Sequence, residues 1–401
     1  MKILYITPVF QHPKVRGSTR CYFFGRELAK RHDVTMLSLK RNNISPEALA
    51  DVQSFLRLFL FDAQPKTTAK GFMRKIQATL SDKNAIREMS DKLRELTRKE
   101  TFDAVLFHGK SVFPVINSFT NLPIVIDFCD ATTMRIRDRM RQESPVMRLM
   151  LNKRLNKFNE IEQQLIAKTP HVAFISCRDR DAVMQQRPGI RIVPNGVDLQ
   201  FWERRSNATR NNCIVFTGVM DYRPNAEAAH YLIDELLPLL RDRVPDIEIL
   251  IVGRDPSKSL REKAEKYPQV TVTGFVEDVR DYLEQAAVFV APIPYASGVQ
   301  NKVLEAFSMK MPVLCSSAVA AGLHFEDGEK PPVRVADDPE TFANSLIDLL
   351  NDDATRANLA AAGRDFVERR FVWGENVKIF ETMLETAIAE FKAETATNSK
   401  P

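Results

Sequence analysis

Two kinds of apolar pattern alternate along this chain. Short apolar runs that read as buried strands fall at residues 2–6, 34–39, 55–61, 104–107, 124–128, 172–176 and 191–193. Between several of them the apolar residues recur at helical spacing, as Tyr22, Phe23 and Leu28 do within 19–31. The stretches 70–99 and 134–168 repeat that spacing, the second interrupted at Pro145. A second series follows the polar stretch 203–212, with strands expected at 213–217, 248–252, 270–273, 287–291, 312–315 and 332–335. Its helices open near Pro224, Ser257, Glu277 and Asn301, and two more span 338–350 and 353–369. Strand–helix alternation predicts an α/β chain of doubly wound, Rossmann-like domains. The divisions are a first domain at 1–190, a second at 191–372, a helix at 373–391 that packs back on the first domain, and a flexible tail at 392–401. Ligands of such sheets bind outside the carboxyl ends of the strands, which places a site in the cleft where the domains face each other.

Composition changes that picture in one respect. The 401 residues are 44% hydrophobic and too many for one core, so two folded domains are expected and disorder is excluded. The net charge of +5 divides unevenly. Residues 1–190 hold 33 Lys and Arg against 19 Asp and Glu, a net +14, and the remainder holds 24 against 33, a net −9. Opposite signs suggest different partners for the halves. The basic residues gather in 66–98 and 135–157, including the alternating Arg135, Arg137, Arg139 and Arg141. They read either as solvated helix faces or as contacts to anionic lipid headgroups, each worth about 1 kcal/mol near a membrane surface. No nucleic-acid module is visible, so nucleic acid is not an expected partner. Five widely spaced cysteines without a C-x-x-C pair indicate reduced thiols and a cytoplasmic protein, peripheral at most on the inner face of the membrane. The N-terminal apolar run is too short for a signal segment, and no spanning helix is expected.

Candidate chemistry sits at strand ends. The loop after the first strand carries one glycine, so it is no dinucleotide fingerprint. It still brings Gly17 and Ser18 to a helix N-terminus, where amides hold anions, with Arg20 beside them and His12 earlier in the loop. These four residues are expected to meet acceptor or phosphate. In the second half, Ser297-Gly298-Val299-Gln300-Asn301-Lys302 opens a helix after a strand that ends in prolines. Its first-turn amides and Lys302 suit a phosphate, and the Glu305 carboxylate suits vicinal ribose hydroxyls. The triplet Asp179-Arg180-Asp181 has the form D-x-D, but it starts a helix and reads as capping. The six histidines show no ligand spacing, so neither a metal nor a cofactor is expected.

The stretch from Lys302-Val-Leu-Glu305-Ala-Phe to Pro312 resembles the signature of family 4 retaining glycosyltransferases, the glycosyl transferases group 1 of the two-domain GT-B fold. Val193-Pro-Asn-Gly-Val-Asp198 resembles their interdomain turn. The segments ending at Gly253 and running through Gly274-Phe-Val276 resemble their strand-end motifs. Gly218-Val-Met-Asp221 and Ile126-Asp127-Phe-Cys-Asp130 resemble a subgroup tied to bacterial exopolysaccharide and exosortase systems. The resemblance implies a nucleotide-sugar donor in the second domain, held by Glu305, Gly298, Val299, Asn301, Lys302, Gly218, Arg223, Gly253, Arg254 and Val276. It implies a carbohydrate or lipid-linked acceptor in the first domain, metal-free transfer with retention, and Asp130 or His108 as catalytic residue. The chain departs from the pattern at Ser297, where the family commonly has a glutamate, and after Gly218, where an Arg/Lys pair is usual. A nucleotide-sugar epimerase of the same fold, and a non-catalytic nucleotide-binding or membrane-surface protein, are the alternatives.

Overall fold

The computed structural model describes the chain apart from residues 14–18, 66–71, 120, 142, 185–187, 207–208 and 399–401, so Gly17 and Ser18 lie outside the described residues. The first domain runs β1 (Lys2–Thr7), α1 (Arg20–Ala29), β2 (Asp33–Lys40), α2 (Pro46–Phe55), β3 (Arg57–Asp62), α3 (Phe72–Lys99) and β4 (Ala104–His108). It continues through β5 (Ile124–Cys129), α4 (Thr132–Arg141), α5 (Pro145–Lys168), β6 (Val172–Phe174), α6 (Cys177–Val183) and β7 (Ile190–Ile192). The second begins with β8 (Arg210–Thr217), α7 (Arg223–Tyr231), α8 (Leu237–Leu240), β9 (Glu248–Val252), α9 (Lys258–Ala264), β10 (Val270–Val272) and α10 (Arg280–Leu283). It ends with β11 (Ala286–Ala291), α11 (Asn301–Ser308), β12 (Val313–Cys315), α12 (Ser317–Ala320), β13 (Arg334–Val335), α13 (Pro339–Asn351) and α14 (Asp353–Arg370). Helix α15 (Trp373–Asn398) closes the chain.

Among the described residues, every pairing between these strands is parallel, in the orders β3-β2-β1-β4-β5-β6-β7 and β10-β9-β8-β11-β12-β13. Helices cover both faces, so the central strands read as unbroken apolar runs; β11 is buried at all six residues. Each sheet reverses its winding once, between β1 and β4 and between β8 and β11. At the second of these points the chain leaves β11 for the loop that opens α11, which carries candidate phosphate residues. The chain is α/β with two Rossmann-like domains, the GT-B arrangement.

Two boundaries and one element differ from the sequence expectation. Strand β7 pairs with β6, Ile190 opposite Val172, so the first sheet ends two residues beyond the boundary placed at 190. Helix α2 was not expected. Its start is nevertheless written in the chain, because Ser45 accepts a hydrogen bond from the Ala48 amide and Pro46 occupies the first turn. Helix α15 continues through Asn398, where a frayed tail was expected from 392. The segment 391–398 contains neither glycine nor proline to stop it.

Helix α15 packs on the first domain, although it follows the second in sequence. Trp373 stacks on Phe23 with ring centres 4.7 Å apart, and Phe380 meets Phe24 edge-on at 5.0 Å. Val377, Phe380, Met383 and Leu384 are buried in the same core as α1 and β1. Replacing Phe380 by Ala is expected to lower stability by about 3–5 kcal/mol, the usual cost of emptying a buried aromatic site. Denaturant unfolding measures this, and a loss below about 1 kcal/mol would show that the site collapses around the truncation.

Candidate active site at the cleft

The second-domain wall is built where β8, β9 and β11 end. Gly253 follows β9 with φ +147°, and a Cβ there would lie 1.7 Å from the Gly218 carbonyl oxygen, so the close approach of the two turns requires glycine. In the first turn of α11, Lys302 donates to Asn225 Oδ1 at 2.6 Å and lies 4.6 Å from the centre of the Phe216 ring. Burial pushes the Lys302 ammonium down to about 7, against the pull of Glu305. Burial likewise pushes the Glu305 carboxyl up to about 7, with Lys302 opposing. Glu305 lines a cavity of about 310 Å³ with Tyr22, Phe23, Trp202 and Trp373. Val299 is buried and Val276 packs on the domain core. Among the described residues, the buried Nε of Arg254 has no hydrogen-bond partner, with Asp255 Oδ2 3.8 Å away.

The first-domain wall carries Asp130, just past β5. The chain enters it through Cys129, a non-glycine residue at φ +59°. Arg135 donates to Asp130 Oδ2 at 3.0 Å, and Lys110 binds the Asp130 backbone oxygen, with its ammonium 3.9 Å from Oδ1. Burial alone would raise the Asp130 carboxyl, but Arg135, Lys110 and His108 outweigh it and hold the group below its ordinary value. Asp130 is therefore ionised at neutral pH.

His108 is in a different state. Its Nδ1 lies 2.7 Å from Asp127 Oδ2 and its side chain is buried. Burial would lower its pKa, yet Cys21 and the Asp127 carboxylate outweigh that and raise it. A histidine already protonated and bonded to Asp127 is a poor proton acceptor.

Other expected site residues are occupied in ways the sequence did not show. Arg20 is fully buried, clamping Asp127 through Nε and Nη2 at 2.8 and 2.9 Å and donating to Asn195 Oδ1 at 3.0 Å. These bonds tie the start of α1 to β5 and to the interdomain turn. His12 is buried too, with Nε2 3.2 Å from Asp51 Oδ2 and its ring edge-on to Tyr22. Arg223 binds Glu227 at 2.6 Å and reaches across the cleft to Glu143. Asn301 accepts from Asn195 Nδ2 at 2.8 Å. The Gly298 amide, at φ +62°, donates to the Asp179 carboxylate of the first domain at 3.1 and 3.3 Å. Asp179 is not the cap of α6; Ser176 is, and Asp181 pairs with Arg180 at 2.7 Å. Ser297 Oγ lies 3.5 Å from Asp130 Oδ2, so the two walls touch at this point.

Residues 211–352 match the family model described as glycosyl transferases group 1. That match lies within the second domain. A phosphatidyl-myo-inositol mannosyltransferase of Mycolicibacterium smegmatis is 29% identical over 201 residues, covering 48% of this chain and 51% of the relative. Its counterpart from Mycobacterium tuberculosis is 27% identical over 206 residues, covering 48% and 53%. The chain thus spans about half the length of the curated relatives it matches. Among solved structures, Anabaena HepE in complex with UDP superposes with a TM-score of 0.65 at 14% identity, over 96% of this chain and all of that one. The sucrose-phosphate synthase of Thermosynechococcus elongatus gives 0.67 at 17% identity, over 97% of this chain and all of the other. These likenesses establish the fold across both domains.

Within the group 1 domain, the Gly218, Gly253 and Lys302 cluster was readable as motif. The residues that sequence reasoning missed belong to the other wall. Lys110 carried no motif, and Asp127 and Asp179 were noted only within motifs, so that folding alone reveals their partners Arg20 and Gly298. Among the described residues, no group of three or more His, Cys, Asp or Glu side chains could hold a metal ion.

The folded protein holds Lys302 neutral above about pH 7, whereas the unfolded chain keeps it charged up to its ordinary 10.5. The unfolded state thus binds more protons in that window, and this group's contribution to stability rises with pH. The native protein should gain stability relative to Lys302→Met between about pH 7 and 8.5. Urea titrations of both proteins check this, and a constant difference would show a charged Lys302 in the folded state.

Proposed function

We propose that the protein is a retaining glycosyltransferase that moves a sugar from a nucleotide-sugar to a carbohydrate or lipid-linked acceptor, in bacterial polysaccharide or glycoconjugate synthesis and without a bound metal. The observation that carries this reading is the placement of Lys302 and Glu305 on α11 of the group 1 domain, across the cleft from the ionised Asp130. The Glu305 carboxylate has the chemistry to accept from two ribose hydroxyls, and Lys302 and the α11 amides to hold a diphosphate. Asp130 then accepts the proton of the acceptor hydroxyl, and fixed cations replace a metal in stabilising the leaving phosphate. The mycobacterial relatives are phosphatidyl-myo-inositol mannosyltransferases, and HepE was solved with UDP and with UDP-glucose. Both support a nucleotide-sugar donor and a glycan acceptor here.

A thermal-shift panel of nucleoside diphosphates and their sugars tests the donor, since a ligand of the folded state raises the melting temperature. One nucleotide should shift the native protein and not Glu305→Ala. Asp130→Asn should keep that shift and lose about 10²–10⁴-fold in turnover. Full turnover by Asp130→Asn would move the base elsewhere. NMR of the product anomer reads retention, and inversion would refute it; chelator should leave the rate unchanged.

The acceptor side of the proposal includes an anionic membrane surface. Among the described residues, no helix is long and apolar enough to cross a membrane. The first turns of α5 expose Val146, Leu149 and Met150 at 75, 65 and 63%, and α3 exposes Met73, Ile76 and Leu80. Arg148, Lys153, Arg154 and Lys157 follow on α5, whereas Arg135 and Arg139 are drawn into ion pairs with Asp130 and Glu143. Apolar tips flanked by cations suit the interface of an anionic bilayer on the cytoplasmic side. Co-sedimentation with phosphatidylglycerol vesicles should fall several-fold for Leu149→Asp/Met150→Asp, and phosphatidylcholine vesicles should bind neither protein. Equal binding of variant and native protein to phosphatidylglycerol would remove α5 from the contact.

A further inference from the structure

Helix α6 does more than follow β6. Three consecutive residues of it grip the other domain. Arg178 donates to the Ala296 and Ala318 backbone oxygens at 2.9 and 3.1 Å, and Arg180 pairs with Glu326. Between them Asp179, with no exposed surface, accepts from the Gly298 amide of the second domain and from the Ala131 amide of the first at 2.8 Å. One carboxylate therefore joins the loop of Asp130 to the loop that opens α11. Two cavities flank this contact and share no lining residue. One, of about 310 Å³, contains Glu305, and the other, of about 420 Å³, contains Asp138, Arg141, Arg178 and Tyr295. Ser297 and Gly298 fall between them in sequence.

We propose that α6 is an interdomain latch, in which the Asp179 carboxylate occupies the Gly298 amide that a donor phosphate needs and must be displaced when the donor binds. The proposal rests on the reading of Gly298 as a phosphate ligand. An amide proton makes one strong hydrogen bond, and a carboxylate and a phosphate at the same amide repel each other. The two anions are therefore alternatives at this position. Burial raises the Asp179 carboxyl above its ordinary value, so the latched state holds that charge at a cost that release recovers.

The test uses the full chain as native protein, Asp179→Ala and Arg178→Ala, the last removing only half-exposed contacts and keeping the question open if the first fails to fold. Small-angle X-ray scattering without ligand reads the latch itself. Both variants should show a larger radius of gyration than the native protein, and superimposable curves would overturn the proposal. Calorimetric titration with UDP and GDP reads the competition. Asp179→Ala should bind the preferred diphosphate about tenfold more tightly, as expected when a charge-assisted bond no longer has to be broken. Unchanged or weaker binding by Asp179→Ala would also overturn it. Failure of the donor reading looks different: neither diphosphate binds the native protein or Asp179→Ala, and the scattering comparison alone then decides for or against the latch.

Discussion

A guanidinium taken fully out of water needs a carboxylate, and the Arg20–Asp127 pair is the constraint on which the cleft depends. Removing one partner of such a pair typically costs about 3–5 kcal/mol, because the other charge is left buried. Yet the pair as a whole contributes geometry more than stability. Arg20 opens α1 at the end of β1, and Asp127 lies in β5, so their two-point contact fixes the crevice of the first sheet. The same guanidinium holds Asn195 in the interdomain turn, Asn195 holds Asn301 at the start of α11, and Asp127 holds His108 at the end of β4. A single buried charge thereby aligns the strand ends of one domain with the key helix of the other.

That alignment explains how an acidic domain serves an anionic ligand. Net charge acts at long range and is screened within about 8–10 Å at physiological salt. On the proposed reading, what a donor phosphate meets is local: the amides of α11, the Lys302 side chain and the dipole of a helix N-terminus. Conversely, the excess charge of the first half is partly consumed inside the fold. Arg20, Lys110, Arg135 and Arg139 are engaged with carboxylates, and basic surface remains on α5 and on α3, where Lys83, Arg87 and Arg98 are exposed.

The legible and illegible parts of the sequence divide along the same line. Both parallel sheets could be read from apolar runs, because a strand buried on both faces leaves a continuous signature. Gly218, Gly253 and the α11 cluster were readable because a close backbone approach and a helix start demand particular residues at fixed spacing. What no local pattern encoded is the pairing of charges far apart in the chain. Arg20 has the look of a loop cation until Asp127, 107 residues later, is seen beside it. Asp179 has the look of a helix cap until Gly298 is brought to it from the other domain. His108 has the look of a free base until its partner holds it protonated.

The departure at Ser297 follows from this geometry. The family pattern places a glutamate there, and its loss taken alone speaks for an inactive chain. In the structure, however, Ser297 already faces the Asp130 carboxylate at 3.5 Å, and the next residue already receives the Asp179 carboxylate. A third carboxylate between them would stand a few ångströms from two others in a partly buried site, where like charges repel. A hydroxyl avoids that repulsion and can donate to Asp130. The negative charge at this end of the cleft is therefore supplied from the first domain, and a serine at 297 is what that arrangement permits.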